Sequence, residues 1–497
     1  MTPTPLSRRI GVKRIILILV VIVVLMMVVQ VFKIFRFEIS KPTDERETNM
    51  VINTVNGETL SHALWIRLKR YNSEIEEVRL RLKRSLLKTQ QRHVKCDFER
   101  IQVADAQSPN YFNIITRASE IETLTLEDNI DDVMKYLADR YYDYASNDCR
   151  LLEDKCKYGQ YFGHRYGARC SSNIAQTGSG HPLSSDALGI GIPDNTTIQK
   201  DGRHIVTFIH IMPNAISFDD GNVIRDHLKI VPQKCKRVLK KTCSQSSKST
   251  ARYSEVFTIA QSWGEAFYHG TLEELPKIAP YLYFLKRHPE IMIHVKGRPK
   301  YLSLLGINNS RLIEAQSIHA DILYMPAGSP CGRSPLFITQ VLANIVATLP
   351  DHPPSTIRDT VVLIKRTKSR WFTQHDAILR MLRKHSAQVN LSVEVFGDNP
   401  LPSLNRTIDM FRRAEIVVAP HGAGESNLIF SHPDTLLIEG LCYDSDALAN
   451  LCYRNMAQAL GLRYYGLIYR HQCMKITANQ IEEPLLEYFK LKFNYRP

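Results

Sequence analysis

The stretch that decides the fold spans residues 415–430 and reads EIVVAPHGAGESNLIF. Its apolar run ends at Ala419, which predicts a buried strand. Pro420 cannot donate to a strand ladder, and the glycines at 422 and 424 permit a tight turn into a helix that begins near residue 425. Backbone N–H groups at the start of such a helix attract a negatively charged ligand. The pattern therefore predicts a strand, a turn and a helix with an anion site at the turn.

The same spacing also fits a simple β-to-α turn that binds nothing. His421 is the residue that such a turn does not require. It is therefore the first candidate for a functional side chain in this stretch.

Strand and helix patterns alternate on both sides of this unit. Further strands are predicted at 360–365, 393–396 and 435–439, with amphipathic helical patterns between them. Upstream, strand runs at 204–211, 252–260, 290–295 and 321–325 accompany a long helical pattern at 267–287. The alternation of the C-terminal part predicts a parallel sheet with helices on both faces. We therefore expect an α/β protein with two halves, at about 200–340 and 345–480, and a cleft between them.

Charged side chains follow two of the predicted strands. Four cations come at the end of the 360–365 strand: Lys365, Arg366, Lys368 and Arg370. Parallel sheets bind ligands beyond the carboxyl ends of their strands, so this basic segment is a candidate diphosphate site or, alternatively, a solvated charge run. Glu439 ends the 435–439 strand. A carboxylate there accepts hydrogen bonds from ribose hydroxyls, caps a helix or pairs with a cation.

Residues 414–440 resemble the signature of glycosyltransferase family 61. That signature is H-G-A-G-x-x-N-x-x-F followed by a strand that ends in Glu. The matching residues are His421, Gly422, Ala423, Gly424, Asn427, Phe430 and Glu439. The segment 364–370 is similar to a basic segment of the family.

Upstream, residues 267–277 resemble the family element F-H-W-L-x-E-x-L-P-R through His269, Glu273, Leu275 and Pro276. Gly270 and Thr271 stand where the family has Trp and Leu.

This resemblance implies an enzyme of known type. Members of the family are lumenal, inverting glycosyltransferases with two Rossmann-like halves of the GT-B type. Their donors are nucleotide sugars such as UDP-xylose, UDP-arabinose or UDP-N-acetylglucosamine. The resemblance implies that the basic segment binds the donor together with His421, Gly422, Ala423, Gly424, Asn427 and Glu439. A catalytically inactive relative that binds glycans or acts as a scaffold is the alternative function.

An inverting transfer needs a base that takes the proton of the acceptor hydroxyl. Glu273 and His269 are the candidates, because residues four apart share one face of a helix; alternatively they hold the helix in place or bind the acceptor. The leaving diphosphate needs positive charge, which Arg366, Lys368 and the helix start at the glycine turn supply. We therefore expect no divalent metal and no cofactor besides the UDP-sugar co-substrate.

The N-terminal region predicts a membrane anchor. Residues 15–32 form an apolar run of 18 residues that only Gln30 interrupts. A helix of this length measures about 27 Å, enough for a thin bilayer core. The excess of Lys and Arg before the run predicts a cytosolic tail at 1–14 and a remainder in the lumen of the Golgi or endoplasmic reticulum. A cleaved signal peptide is the alternative, but no small residues follow the run.

Two further features agree with a lumenal location. Acceptor motifs for N-glycosylation occur at Asn195, Asn308, Asn390 and Asn405. All ten cysteines lie beyond the anchor, an even number that suits disulfides. The short separations Cys235–Cys243 and Cys442–Cys452 are the simplest pairings. No CxxC pair occurs, so we expect no zinc site.

A linker and a stalk are expected at 33–95. Apolar residues recur there with heptad spacing: Leu64, Leu68, Tyr71, Ile75, Val78 and Leu82. This seam predicts either a coiled coil that joins two copies as a homodimer or an amphipathic helix packed on its own domain. We expect an N-terminal, acceptor-side domain at 96–340 and a C-terminal, nucleotide-sugar-binding domain at 345–480.

The charge distribution bears on the partners. The net charge is +14, and the first 100 residues hold 19 Lys and Arg against 10 Asp and Glu, leaving 45 against 40 for the rest. A domain region so close to neutral argues against nucleic-acid binding, which requires a basic surface on the folded part. The expected partners are a membrane and a glycan or glycoprotein acceptor.

Overall fold

The computed structural model of the chain describes residues 62–88, 101–126, 207–232, 251–297, 301–349, 355–443 and 452–495, with gaps at 107, 109, 119, 330–331, 333–335, 356, 461 and 471–474. The predicted tail and anchor at 1–32, most of the linker, Asn195 and the pairing Cys235–Cys243 lie outside the described residues. Across the described ranges, no helix is long and apolar enough to cross a membrane.

The first half of the molecule is built on a mixed sheet. Its strands are β1 (Gln102–Asp105), β2 (Glu122–Leu126), β3 (Thr207–Phe218), β4 (Val223–Arg225), β5 (Leu228–Val231), β6 (Arg252–Thr258), β7 (Met292–Val295), β8 (Leu312–Glu314) and β9 (Ser317–Pro326). They follow the order β1-β5-β4-β3-β9-β6-β7-β8, with β2 beside β3. β6 runs parallel to β7 and β9, whereas β3 runs antiparallel to β2, β4 and β9. This half is therefore mixed and not the purely parallel, Rossmann-like sheet that the family resemblance implies.

The second half carries a five-stranded sheet that is parallel throughout. Its strands are β10 (Thr360–Lys365), β11 (Ser392–Gly397), β12 (Ala414–Pro420), β13 (Leu436–Tyr443) and β14 (Arg463–Arg470). The order is β11-β10-β12-β13-β14, so the direction of winding reverses between β10 and β12. Open parallel sheets bind ligands beyond the carboxyl ends of the strands at this switch point. The mixed α/β architecture with parallel strands is as predicted.

Helices cover both sheets. They are α1 (His62–Lys88), α2 (Tyr111–Arg117), α3 (267–287), α4 (Leu336–Ala347), α5 (His375–Ala387), α6 (Leu404–Arg412), α7 (Cys452–Leu460) and α8 (Ala478–Phe493). α3 is composite: it begins as an α-helix (Phe267–His269), passes through a π turn (Gly270–Glu274) and a 3-10 stretch (Leu275–Tyr281), and ends as an α-helix (Leu282–Arg287). Its Pro276 and Pro280 cannot donate backbone hydrogen bonds, which fits this departure from regular α-helix.

Helix α1 decides between the two interpretations of the heptad seam. Its apolar residues are buried in the core of the same chain: Leu68, Tyr71, Ile75, Val78 and Leu82. Asn72 ties α1 to α3, since its side chain donates to the Pro280 carbonyl (3.0 Å) and accepts from the Phe284 amide (3.1 Å). Arg79 donates to both carboxylate oxygens of Glu255 on β6, at 2.7 and 3.0 Å. The seam is therefore packed within its own domain, which agrees with the second of the two interpretations, an amphipathic helix.

A continuous apolar core joins the two sheets. One cluster of buried side chains takes members from the first sheet (Ile209, Phe257, Ile293) and from the second (Val362, Val417, Leu437). Helix α4 contributes Ile338, Val341, Leu342 and Val346 to the same cluster. The two halves are consequently packed into one body over residues 60–497, and elements of both halves meet at the end of the second sheet.

Candidate functional site

Arg366 lies at the switch point of the parallel sheet, directly after β10. Its guanidinium donates to the His421 carbonyl (3.2 Å) and to the carbonyl and hydroxyl of Ser369 (2.8 and 3.1 Å). Gly422 makes room for it, because a Cβ at that position would lie 1.1 Å from Arg366 Nη1. Partial burial and the neighbouring Arg370 lower the pKa of Arg366. The predicted cation and the predicted glycine turn are thus in direct contact.

The other cations of the basic segment are exposed. Lys365, Lys368 and Arg370 all face solvent around Arg366. The loop is held by Asp398, which accepts from the backbone N–H and the hydroxyl of Thr367, both at 2.9 Å. Lys365 also borders an open cavity of about 390 Å³ at the start of α5, lined by Thr373, Gln374, His375, Asp376 and Ala377. This edge therefore offers three exposed cations, of which Lys365 borders the cavity.

The anion site at the helix start differs from the prediction. The segment Ala423–Phe430 is a 3-10 helix, and the Gly422 amide donates to Glu425 Oε2 at 2.8 Å. Glu425 is fully buried, and burial together with the nearby Glu439 raises the pKa of its carboxyl well above the usual range. One of the N–H groups assigned to a ligand is therefore occupied by the chain's own carboxyl. The sequence signal was present, because an acidic residue three positions after a turn residue is typical of a capping box.

His421 and Glu439 form a buried pair across neighbouring strands. Their Nδ1 and Oε1 atoms are 2.5 Å apart, and the Tyr464 hydroxyl donates to Glu439 Oε2 at 2.7 Å. Both oxygens of Glu439 are thus bonded inside the protein, and its side chain is fully buried. The predicted contact to a ribose hydroxyl stays a prediction, but the structure gives this carboxylate the task of orienting His421.

Asn427 also forms hydrogen bonds inside the protein. Its Oδ1 accepts from the Tyr301 hydroxyl, and its Nδ2 donates to the Gly424 carbonyl at 2.8 Å. The Tyr301 ring contacts Phe267 (5.8 Å between centroids) and Phe430 (4.9 Å) edge-on. Asn427 and Tyr301 therefore connect the glycine turn of the second half to the start of α3 in the first.

The second candidate pair, His269 and Glu273, lies on α3. His269 Nδ1 is 2.8 Å from Glu273 Oε2, and Gln261 Nε2 donates to the same oxygen at 2.6 Å. The Gly332 amide donates to Glu273 Oε1 at 2.9 Å. Glu273 is fully buried, whereas the His269 side chain remains 19% exposed. Of the two candidate bases, His269 is the one that a substrate can reach, and Glu273 is positioned to orient it.

Three ring contacts link the two pairs. Tyr268 lies 5.0 Å from the adjacent His269 ring and 5.4 Å from the Tyr453 ring, which lies 5.2 Å from His421. Tyr268 and Tyr453 are not recognisable as site residues from the sequence. Neither belongs to the quoted motif residues, and α7, which carries Tyr453, follows the H-G-A-G block by about 30 positions. The structure thus brings the upstream element and the H-G-A-G element into one neighbourhood.

Cys452 lies between these elements. Its side chain is buried, and the suggested Cys442–Cys452 pairing stays a prediction. Burial raises the pKa of the thiol well above its usual range, and the carboxylates of Glu439, Glu425 and Glu273 act in the same direction. The start of α7 therefore lies beside the acidic residues of the site.

One cluster of the described residues has the composition of a metal site. Ligand atoms of His421, Glu425 and Glu439 all lie within 4.8 Å of one another. In addition, Asp444-Ser445-Asp446 is an Asp-x-Asp, a common cue for a carboxylate-held cation, and it lies outside the described residues. The absence of an Asp-x-Asp therefore cannot support the expectation of metal-free transfer. That expectation now depends on the cationic groups alone.

Comparison with known proteins agrees with this site. The family model described as Glycosyltransferase 61 matches residues 267–438, which includes α3 and the H-G-A-G turn. The chain is also 26% identical over 109 residues to "Xylan glycosyltransferase MUCI21" of Arabidopsis thaliana, a match that covers 22% of this chain and 21% of that protein. The resemblance to glycosyltransferase family 61 is thereby confirmed over this region.

Proposed function

We propose that this protein is a glycosyltransferase that moves a sugar from a nucleotide-sugar donor to a hydroxyl group with inversion. The family match and the relative support a glycosyltransferase. The observation that carries the finer proposal is the meeting of two elements at the switch point. α3 brings the His269–Glu273 pair, and the ends of β10 and β12 bring Arg366 and His421. A base and a cation at one sheet edge are the two groups that a displacement of diphosphate requires.

The donor is proposed to bind at the carboxyl edge of the second sheet. Arg366 takes the diphosphate, because it is held at the switch point with its guanidinium beside Gly422. Lys365, Lys368 and Arg370, exposed in the same segment, add further positive charge. UDP-xylose, UDP-N-acetylglucosamine and UDP-arabinose are the donors to test. The acceptor is proposed to be a glycan or a glycoprotein.

His269 is proposed as the base. Its Nε2 takes the proton of the acceptor hydroxyl while that oxygen forms its bond to the anomeric carbon. The bond between the anomeric carbon and the diphosphate breaks on the opposite face, and the electron pair leaves with the diphosphate. Glu273 holds Nδ1 of the ring (2.8 Å) and stabilises the imidazolium that forms.

Transfer is proposed to proceed without a divalent metal, since Arg366 and its neighbours supply the charge that the leaving group needs. Turnover in excess chelator, then with added manganese, tests this proposal. Unchanged turnover supports it. Loss with chelator and recovery with manganese would overturn it and would direct attention to His421, Glu425, Glu439 and the Asp444–Asp446 motif.

The protein is proposed to be anchored by residues 15–32 with its enzyme part in the Golgi or endoplasmic reticulum lumen. Three of the four glycosylation motifs fall on described residues, and Asn308, Asn390 and Asn405 are all exposed there. Digestion of the cellular protein with an N-glycosidase should lower its apparent mass. The mass of the wild type could stay unchanged while a version with one added acceptor motif shifts. That result would still agree with a lumenal enzyme part, but it would contradict glycosylation of these asparagines.

A panel of labelled UDP-sugars tests the function itself. The purified protein is incubated with each donor and a mixture of oligosaccharide acceptors, and UDP release is measured. We expect release with one donor of the panel, accelerated by an acceptor. No release with any nucleotide sugar, although the protein is folded and binds glycans, would instead support an inactive glycan-binding relative. Gly270 and Thr271, which stand where the family has Trp and Leu, are the residues that favour that alternative.

A further inference from the structure

The loop before α3 carries a bulky residue in an unfavourable backbone conformation. Trp263 has φ of 67°, in the left-handed region that large side chains rarely adopt. Such strain persists only where the surroundings fix the backbone, and it collects at functional sites. Trp263 is therefore a residue whose position needs an explanation.

Two adjacent buried carboxylates fix this loop. The backbone N–H of Gln261 donates to Glu274 Oε1 at 3.1 Å. The side-chain Nε2 of Gln261 donates to Glu273 Oε2 at 2.6 Å. Gly264 packs directly on the same carboxylate, because a Cβ there would lie 1.9 Å from Glu274 Oε1. Both glutamates belong to the π turn of α3, and such turns are frequent at functional sites. The loop and the His269–Glu273 pair are thus one rigid unit.

The indole of Trp263 lies at the opening of the site. It is 45% exposed, and its centroid is 5.5 Å from that of the His269 ring, at an interplanar angle of 45°. An exposed indole contributes little to the core, so packing does not account for a strained backbone that holds it there. What its position does provide is a flat apolar surface directly beside the proposed base.

We propose that Trp263 is the platform on which the acceptor sugar ring stacks. The proposal rests on the proposed function and adds the acceptor side of the same site. A sugar ring presents C–H groups on its faces and hydroxyls on its rim. Its face packs on an aromatic ring and leaves the hydroxyls available for hydrogen bonds. A ring stacked on Trp263 places a rim hydroxyl next to His269, where its proton is taken. The ligand class is therefore a carbohydrate ring, and the uracil base of the donor is the competing occupant.

Steady-state kinetics with three variants test this platform. Trp263→Ala removes the platform, Trp263→Phe keeps an aromatic face, and Phe112→Ala is the matched control, an exposed aromatic on α2. Xylohexaose, chitotetraose and mannotriose are tried as acceptors with the donor that the wild type uses. We expect Trp263→Ala to raise the acceptor KM about tenfold, with the donor KM within about twofold of wild type. Trp263→Phe should fall between, and Phe112→Ala should match wild type.

A rise in donor KM in place of acceptor KM would overturn the proposal in favour of uracil stacking. Unchanged KM values in Trp263→Ala would overturn it outright, while the proposed function would stand because turnover continues. If the wild type turns over no donor, saturation-transfer NMR with the same three oligosaccharides separates the two questions. Binding by wild type that is lost in Trp263→Ala supports the platform without catalysis. Equal binding by both, or none by wild type, overturns it.

A fourth variant separates a functional Trp from a structural one. Glycine adopts positive φ without strain, so Trp263→Gly should melt at or above the temperature of wild type. It should nevertheless lose acceptor affinity as Trp263→Ala does. A clear drop in melting temperature for Trp263→Gly would show that the indole serves packing and would overturn the proposal.

Discussion

The molecule contains two histidine–glutamate pairs that differ in how they are built. His269 and Glu273 are four residues apart on α3, with 2.8 Å between the bonded atoms, and the His269 side chain is 19% exposed. His421 and Glu439 come from the ends of β12 and β13, with 2.5 Å between the bonded atoms, and the His421 side chain is only 4% exposed. The same chemical pair therefore occurs once at an opening and once in the interior.

The difference in exposure assigns different tasks to the two pairs. A base must reach the proton that it removes, which only the pair on α3 can do. The buried pair has its carboxylate bonded at both oxygens, to His421 and to Tyr464. It fixes the ends of two strands beside Arg366, where the donor is proposed to bind. We therefore assign proton transfer to the exposed His269, and we assign the positioning of the donor side to the buried pair His421 and Glu439.

The largest expected effect is that of removing the exposed histidine. His269→Ala should lower turnover by about 10²–10⁴-fold, the usual contribution of a positioned base, while UDP affinity measured by titration calorimetry stays unchanged. His227→Ala, an exposed histidine between β4 and β5, is the control and should keep full turnover. Turnover of His269→Ala close to wild type would remove this residue from the chemistry and erase the contrast between the two pairs.

The next effect concerns the donor side. Arg366→Ala should weaken UDP binding by roughly 10–100-fold, as expected for losing hydrogen bonds to a charged group. Gly422→Ala should act in the same direction without altering any charge, because its Cβ would occupy the position of Arg366 Nη1. Arg380→Ala, an exposed arginine on α5, is the matched control. Calorimetry with UDP checks all three. Wild-type affinity in a folded Arg366→Ala protein would place the diphosphate elsewhere.

The buried pair should show its importance in stability. His421→Ala leaves Glu439 Oε1 without its buried partner, which should lower the free energy of unfolding by about 1–3 kcal/mol. His269→Ala should cost less, because its ring is partly exposed. Urea denaturation of both variants compares them directly. Equal losses, or a larger loss for His269→Ala, would contradict the division of tasks.

The smallest effect is a pH dependence of stability from the π turn. Burial raises the pKa of Glu274 from 4.5 to about 8. A raised folded-state pKa means that the folded state binds the proton more tightly. The stabilisation is therefore complete below about pH 4.5 and is lost as the pH rises through about 8.

Glu274→Gln mimics the protonated acid and should flatten this decline. The difference in melting temperature between Glu274→Gln and wild type should grow from pH 5 to pH 8.5 in favour of the variant. Glu483→Gln, at an exposed position of α8, should show a constant difference. A constant difference for Glu274→Gln as well would mean that its carboxyl is ionised in the folded protein throughout this range.

Local patterns predicted the second half of the molecule well. The strand expected at 415–419 is β12 at 414–420, and the strand expected at 360–365 is β10 with the same bounds. Buried parallel strands are continuous apolar runs, so their position is visible in the sequence. The meeting of Arg366 with the glycine turn follows from the same rule, since both come at the carboxyl ends of neighbouring strands.

Features that depend on distant residues were not predictable in this way. The antiparallel pairing of β3 with β9 joins segments about 100 positions apart and makes the first sheet mixed. The seam of α1 has the same spacing whether it faces a second copy or its own domain, and only the bonds of Asn72 and Arg79 decide. The choice between His269 and Glu273 required their burial, which spacing does not provide. The contact of Trp263 with His269 depends on a loop whose backbone strain leaves no pattern in the sequence.

The central claim is that α3 and the ends of β10 and β12 form one transfer site. A crystal structure of the protein with UDP tests it most directly. The account predicts the diphosphate on the Arg366 guanidinium beside Gly422, with the His269 imidazole and the Trp263 indole facing the space next to the terminal phosphate. UDP bound away from Arg366, or bound there with His269 and Trp263 outside that space, would contradict it.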